Sequence, residues 1–227
     1  MITQNLALVK ERIEDAAKRA GRNPAEIRLV CVTKTATANQ LQEAISSGIS
    51  DIGENRVKDA LLKYDSLGEQ AKNVKWHMIG HLQTNKVKKC LQIFDTIHSL
   101  DSINLADEID KQAKSLGKCI DCLVQVNVSG EDSKYGISPE ETEAFIRKVS
   151  LFSNIHIAGL MTMAPFVDNP EQVRPFFRKI YSLKESLRKM DISNTDVKDI
   201  SMGMTQDFEV AIEEGATFVR IGTAIFK

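Results

Sequence analysis

Several things are scarce in this 227-residue chain, and each scarcity removes a class of protein. Charge of one sign is missing: 30 Lys+Arg against 31 Asp+Glu leaves a net charge of -1. There is no overall basic field to grip a phosphate backbone or an anionic membrane, so neither nucleic acid nor a membrane is expected as a partner. Long apolar runs are absent too. The N-terminus, MITQNLALVKERIEDAAKRAG, sets apolar residues at helical spacing among charges, unlike a signal peptide or a membrane span. It reads as a surface helix on a cytoplasmic protein. With 5 prolines, and no Pro/Ser-rich or low-complexity tract, nothing resembles a linker, and residues 1–227 read as a single domain.

Cysteine is sparse as well, at positions 31, 90, 119 and 122. Cys119 and Cys122 form CIDC, but this motif opens the apolar run Leu123 to Val128 rather than a helix, and no second CxxC completes a zinc set. Along a strand its two thiols point to opposite faces. All four are read as reduced thiols, mostly buried.

What the chain does have is alternation. Short β-type runs occur at Ile27 to Val32, Ser50 to Gly53, Val74 to Ile79, Thr96 to Ser99, Asp121 to Val128, His156 to Met161, Asp199 to Met202 and Phe218 to Ile221. Between them lie segments of helical spacing. SPEE (Ser138 to Glu141) reads as a capping box with proline at the first helical position, NPEQ (Asn169 to Gln172) repeats it, and Gly48, Gly117 and Gly215 stand where helices should stop. Eight strand–helix units favour an α/β fold closed into a single (β/α)8 TIM barrel, with the N-terminal helix extra. An open doubly wound sheet is second, but no strand is followed by GxGxxG or GxxxxGK[ST].

In such a barrel the chemistry sits at the C-terminal ends of the strands. The first strand ends in RLVCVTKTAT and delivers Lys34 there; the last two end in SMGMTQD and RIGTAIF. Ser201, Gly203, Gly222 and Thr223 offer hydroxyls and close-approach glycines suited to a phosphate, and closure sets strand eight beside strand one. A lysine next to a phosphate cradle fits a point charge on phosphate. It equally fits a Schiff base with a phosphorylated aldehyde, pyridoxal 5'-phosphate (PLP), for which burial would free the amine. A third reading has Lys34 at the rim, paired with Glu54. Position alone does not choose among them.

The motifs VTKT (Val32 to Thr35), GEN (Gly53 to Asn55), WHMIGHLQTNK (Trp76 to Lys86), HSLD, QVN with E.SKYG (Glu131 to Gly136), GLMTM, SMGMTQD and RIGTAIF run in order along nearly the whole chain. Together they resemble the pyridoxal phosphate homeostasis protein family, also called PLP-binding proteins. The resemblance implies a barrel like the N-terminal domain of alanine racemase, with PLP on Lys34 as a Schiff base. It further implies that Asn55, His77, Ser201, Gly203, Met204, Arg220, Gly222 and Thr223 surround the cofactor, Ser201 giving the phosphate a hydroxyl and Arg220 meeting the pyridine nitrogen. The chain departs from the family pattern at Thr33, Ala36-Thr37, Ile52, Arg56 and Thr205, which bears on rim contacts more than on the cofactor.

Other candidates weigh less. His77 and His81 lack the Glu of HExxH and read as core or rim histidines; no metal is expected. Phe176, Phe177, Ile180, Leu183 and Leu187 form the inner stripe of the sixth outer helix, and Glu213-Glu214 read as solvated. No apolar surface stripe is left over, which points to a monomer. Two functions remain: a PLP carrier acting in PLP homeostasis, supplying PLP-dependent apo-enzymes and without efficient turnover, or a PLP-dependent amino-acid racemase. An arginine opposite the pyridine nitrogen favours the carrier, since an acidic partner makes the stronger electron sink.

Overall fold

Runs such as Leu29 to Val32, apolar at successive positions, are buried on both faces only where strands face one another and helices cover the outside. In the computed structural model, which describes residues 1–131 and 134–227, all eight runs form strands. These are β1 (Arg28–Val32), β2 (Asp51–Glu54), β3 (Lys75–Met78), β4 (Thr96–Leu100), β5 (Ile120–Gln125), β6 (Ile155–Met161), β7 (Thr195–Met204) and β8 (Phe218–Ile221). Neighbours pair in parallel in chain order, and β8 returns to β1 with Arg220 opposite Val30, closing the barrel. The open sheet is excluded. Asp132 and Ser133 of the Glu131–Gly136 motif lie outside the described residues.

The outer helices are α1 (Ile2–Arg19), α2 (Ala38–Ser46), α3 (Val57–Leu67), α4 (Val87–Cys90), α5 (Ile103–Ser115), α6 (Thr142–Val149), α7 (Arg174–Arg188), α8 (Phe208–Glu213) and α9 (Thr223–Phe226). The main core lies between them and the barrel, around Leu41, Ile52, Trp76, Ile97, Ile109, Phe177 and Phe208. Inside the barrel the apolar set is small: Val30, Leu123, Ala158, Met161 and Phe218, with Ile79 against them. The rest of the interior is polar.

The extra helix α1 buries Leu6, Val9, Ile13, Ala16 and Ala17. Arg12 pairs with Glu209 and Arg19 with Glu213, while the Arg22 guanidinium donates to the carbonyls of Ile212 and Ala216. Glu213 and Glu214, expected to be solvated, instead share Arg174, and Arg178 joins Glu214. Tyr64 of α3 tilts against Trp76 at 5.6 Å between ring centroids.

Element ends differ from expectation where local hydrogen bonding intervenes. The Ser138 hydroxyl caps the Glu141 N–H as expected, but it spends its own hydrogen on the Glu141 carboxylate, and α6 starts later, at Thr142. Asn169 caps a 3-10 turn, Pro170–Val173, which then leads into α7. A complete capping box stands unforeseen at Thr37 and Gln40, opening α2. Strand β5 stops at Gln125, short of Val128, because Asn127 donates its N–H to Ile137, and the Ile137 N–H returns to Gln125.

Strand β7 begins four residues before Asp199, and its register against β6 shifts between Ile157 and Gly159. A Cβ on Gly159 would stand 2.0 Å from the Asp199 carbonyl oxygen. Backbone cannot yield there as a flexible side chain can. Gly159→Ala is therefore expected to lose about 1–3 kcal/mol of stability, seen as a fall in Tm of roughly 2 to 12 °C; an unchanged melting curve would show that the β6–β7 contact is not rigid.

Candidate functional site

Strand β1 ends at Val32, and the next side chains diverge by the two-residue period of extended chain. Thr33 is fully buried and turns toward Glu54 and Lys63 of α3, in the layer between barrel and helices; Lys34, on the opposite side of the chain, is exposed. The expected burial of the Lys34 amine is thus corrected: the strand stops before the lysine, and no buried charge has to be neutralised. Nor does it pair with Glu54. That carboxylate, 1% exposed, accepts from the Thr33 hydroxyl and from the Lys63 ammonium, which also donates to the Thr33 carbonyl. The clamp fixes the residue before Lys34 and leaves the Lys34 amine, among the described residues, without a hydrogen bond or ion pair. Sequence reasoning missed Lys63. The available cue was Glu54 itself, a carboxylate ending a buried strand that has to find a cation.

Strand β8 brings the phosphate candidates alongside. A Cβ on Gly222 would lie 2.8 Å from the Val32 carbonyl oxygen, so only glycine lets β8 run this close to the end of β1. Thr223 is exposed next to it, opening α9. Gly203 is buried with φ +87, and a Cβ there would meet Ala211 and the Phe208 backbone. It shapes the turn after β7 by its conformation. Met204 is at the rim, 36% exposed, its N–H donating to the Asp207 carboxylate. Asn55 is exposed at the end of β2, with Gly80 packed on its backbone. It also borders an open cavity of about 820 Å³ whose walls carry Arg56, Lys58, Lys86, Lys89, His81 and Tyr135.

Two of the expected cofactor residues lie deep in the barrel. Ser201 is fully buried: its Oγ lies 2.6 Å from Arg220 Nη1 and 2.9 Å from His98 Nδ1, inside the barrel rather than at the rim. His77 is 1% exposed, its Nδ1 3.0 Å from His98 Nε2 and its Nε2 2.9 Å from Asp51 Oδ1. Both side chains point to the barrel axis, where strand stagger sets them below the mouth.

Arg220 is 5% exposed; its second amino group donates to the Thr162 carbonyl. Burial draws its pKa down to about 10, opposed by Asp207, so it remains a cation at neutral pH. Lower in the barrel Arg28 pairs with Asp199 at 2.7 Å and covers the Phe218 ring. The QVN motif turns out to brace a loop. Gln125 donates to the Tyr135 carbonyl and Asn127 to those of Glu131 and Lys134, which sets Tyr135 over His81 with ring centroids 4.1 Å apart.

Burial, with His77, Arg220 and Arg28 nearby, holds the His98 pKa well below its ordinary value of 6.5. The unfolded chain then binds a proton at His98 that the folded chain refuses. Its contribution is intact above about pH 6.5 and falls as pH drops below it, by up to about 1.4 kcal/mol per unit. Urea unfolding at pH 7 and pH 5 is expected to show the gap between the protein and His98→Gln narrowing toward acid; a constant gap would mean that His98 titrates normally.

The geometry has counterparts in known proteins. The family model for the alanine racemase N-terminal domain matches residues 4–227. A pyridoxal phosphate homeostasis protein of Aquifex aeolicus is 44% identical over 98% of this chain and 96% of its own length. A structure of an unknown protein from Bifidobacterium adolescentis superposes with TM-score 0.94 at 35% identity, covering 99% of this chain and 94% of the other. PipY of Synechococcus elongatus, solved with PLP bound, gives TM-score 0.87 at 30% identity with 100% of each chain covered. Matched along its barrel and along almost every residue, the chain belongs to the alanine racemase N-terminal domain family and, within it, to the pyridoxal phosphate homeostasis proteins.

Proposed function

We propose that the whole chain, residues 1–227, is one PLP-binding unit that holds the cofactor through Lys34 and takes part in PLP homeostasis, supplying PLP-dependent apo-enzymes. The observation that carries this reading is the Lys34 amine, free at the mouth because Lys63 and Thr33 have taken Glu54. When bound, PLP supplies an aldehyde that a primary amine can attack. The remaining roles belong to this chain's own groups. Gly222 and Thr223 border the mouth beside β1, where a phosphate can approach glycine backbone closely. Asn55 and Met204 form rim surface, while Gly203 holds the β7 turn that presents Met204. Arg220 can only donate hydrogen bonds, so opposite a pyridine nitrogen it leaves that nitrogen unprotonated and weakens the electron sink on which turnover depends.

PipY, solved with PLP bound, supports the cofactor assignment, and the shared name of the relatives supports the homeostatic role. An exposed amine, open to water and to incoming amines, suits a hold that can be reversed. Tyr135, the one tyrosine on a mouth loop, is stacked on His81 on the β3 side, which favours the carrier reading over the racemase one. No helix among the described residues is long and apolar enough to cross a membrane. The reading extends to a cytoplasmic monomer: four free cysteines fit a reducing compartment, and the exposed Leu8, Leu62, Leu116, Leu151 and Phe166 lie apart on different elements.

Borohydride reduction of PLP-loaded protein followed by peptide mapping is expected to place a pyridoxyl group on Lys34, and Lys34→Ala to lose it; a label on Lys86 or Lys134 instead overturns the assignment. For the function itself, loaded protein incubated with L-amino acids in deuterated water is expected to exchange α-protons far below about 1 per second. Exchange at that rate, abolished by Lys34→Ala and by Tyr135→Phe, would establish an enzyme.

A further inference from the structure

Five buried side chains cross the barrel interior in one hydrogen-bonded line: Arg220 to Ser201 at 2.6 Å, Ser201 to His98 at 2.9 Å, His98 to His77 at 3.0 Å and His77 to Asp51 at 2.9 Å. They come from β8, β7, β4, β3 and β2, so the line crosses the barrel from the buried arginine of β8 to the foot of β2. The proton inventory permits one arrangement with both rings neutral. Arg220 can only donate, so Ser201 Oγ accepts from it and gives its own hydrogen to His98 Nδ1. His98 then carries its proton on Nε2 and donates to His77 Nδ1; His77, protonated on Nε2, donates to the Asp51 carboxylate. Reversing the line would set the His77 Nε2 lone pair against that carboxylate and leave the Ser201 hydrogen without this acceptor. Every donor therefore points from the arginine toward the aspartate.

We propose that His77 and His98 are positioning residues for Arg220, anchoring its guanidinium through Ser201 to the Asp51 carboxylate and so fixing the donor that faces the PLP site. This rests on the reading of the mouth as a PLP site and adds to it what holds the arginine. The groups around His98 agree with a neutral ring there: Arg220 from β8 and Arg28 from β1 disfavour a further cation, while Asp51 and Asp199 lie nearer His77 and Arg28, their own partners. Burial and the two arginines hold His98 neutral. On the other side Asp51, bonded by His77 and by the Ser50 hydroxyl, stays ionised, its pKa lowered despite burial.

The test has one arm without PLP and one with it. In the PLP-free protein, nitrogen NMR of the histidine rings at pH 7 is expected to show His77 and His98 both neutral and both protonated on Nε2; either ring found protonated on Nδ1, alone or as imidazolium, overturns the proposal. In the loaded protein, His98→Gln is expected to move the wavelength of the cofactor absorption band or its pH midpoint and to weaken PLP retention about tenfold or more. Leu123→Met, an interior substitution outside the line, should move neither. If His98→Gln leaves band, midpoint and retention as in the parent, the line does not act on Arg220. If the unmodified protein shows no PLP band at all, the cofactor reading fails, while the ring tautomers still decide whether the line exists.

Discussion

The constraint around which this barrel is organised is a guanidinium sealed inside it. Taking an arginine out of water costs several kcal/mol unless its donors are met and its charge is balanced. Arg220 meets the donor requirement with the Ser201 hydroxyl and the Thr162 carbonyl, neither of them charged. Its balance comes from farther off: Asp207 just outside the β7 turn, and Asp51 at the other end of the histidine line. A second cation, the half-exposed Arg28 at the foot of β1, is matched directly by Asp199. Two arginines and two aspartates thus line a barrel whose interior apolar contingent is small. His98 stays neutral between them, because burial and the two arginines disfavour a further cation there.

That arrangement separates the fold from the site. The outer layer of the barrel carries the stability, with Trp76, Phe177, Phe208 and the aliphatic rows of the helices packed dry against the strands. The inner layer carries specificity, since a fully connected polar network tolerates few alternatives. The glycines where the layers touch follow the same logic. Gly159 admits the β7 backbone, and Gly222 admits the end of β1. In each case a methyl group would strike a carbonyl oxygen rather than a movable side chain.

How much of this was legible in the sequence depends on which layer a residue belongs to. Strand positions were readable because buried parallel strands are apolar on both faces, and Phe218–Ile221 came out with the expected bounds. The helix stops at Gly48, Gly117 and Gly215 were readable because each takes a positive φ that other residues resist. The depth of Ser201 and His77 was not readable for one reason: a motif says that residues lie near a strand end, but not how far the stagger of the strands sinks them below the rim. Ser201 pairs in register with Phe218, at the start of β8, two residues before Arg220. The exposure of the Lys34 amine differs in the other direction. A lysine after an apolar run looks like a buried charge, yet one residue of turn suffices to set it in solvent.

The clamp under Lys34 has a further consequence for the lysine's role. Glu54 Oε2 is buried without a hydrogen-bond partner among the described residues, while Oε1 takes both Thr33 and Lys63. A half-satisfied carboxylate is retained against a desolvation cost only where something compensates. Here the compensation is geometric, because the Lys63 ammonium binds the Glu54 oxygen and the Thr33 carbonyl together and so ties α3, β2 and the end of β1 at one point. The residue next to Lys34 is rigid while Lys34 itself is not restrained. A free amine on a fixed base can reach an incoming aldehyde and withdraw again, whereas a lysine bound into the carboxylate network would have to break an ion pair each time. The same division recurs across the mouth, where Arg220 is held from below and the Gly222–Thr223 turn rests on β1. What moves in this site is one side chain, and the barrel supplies fixed surroundings for it.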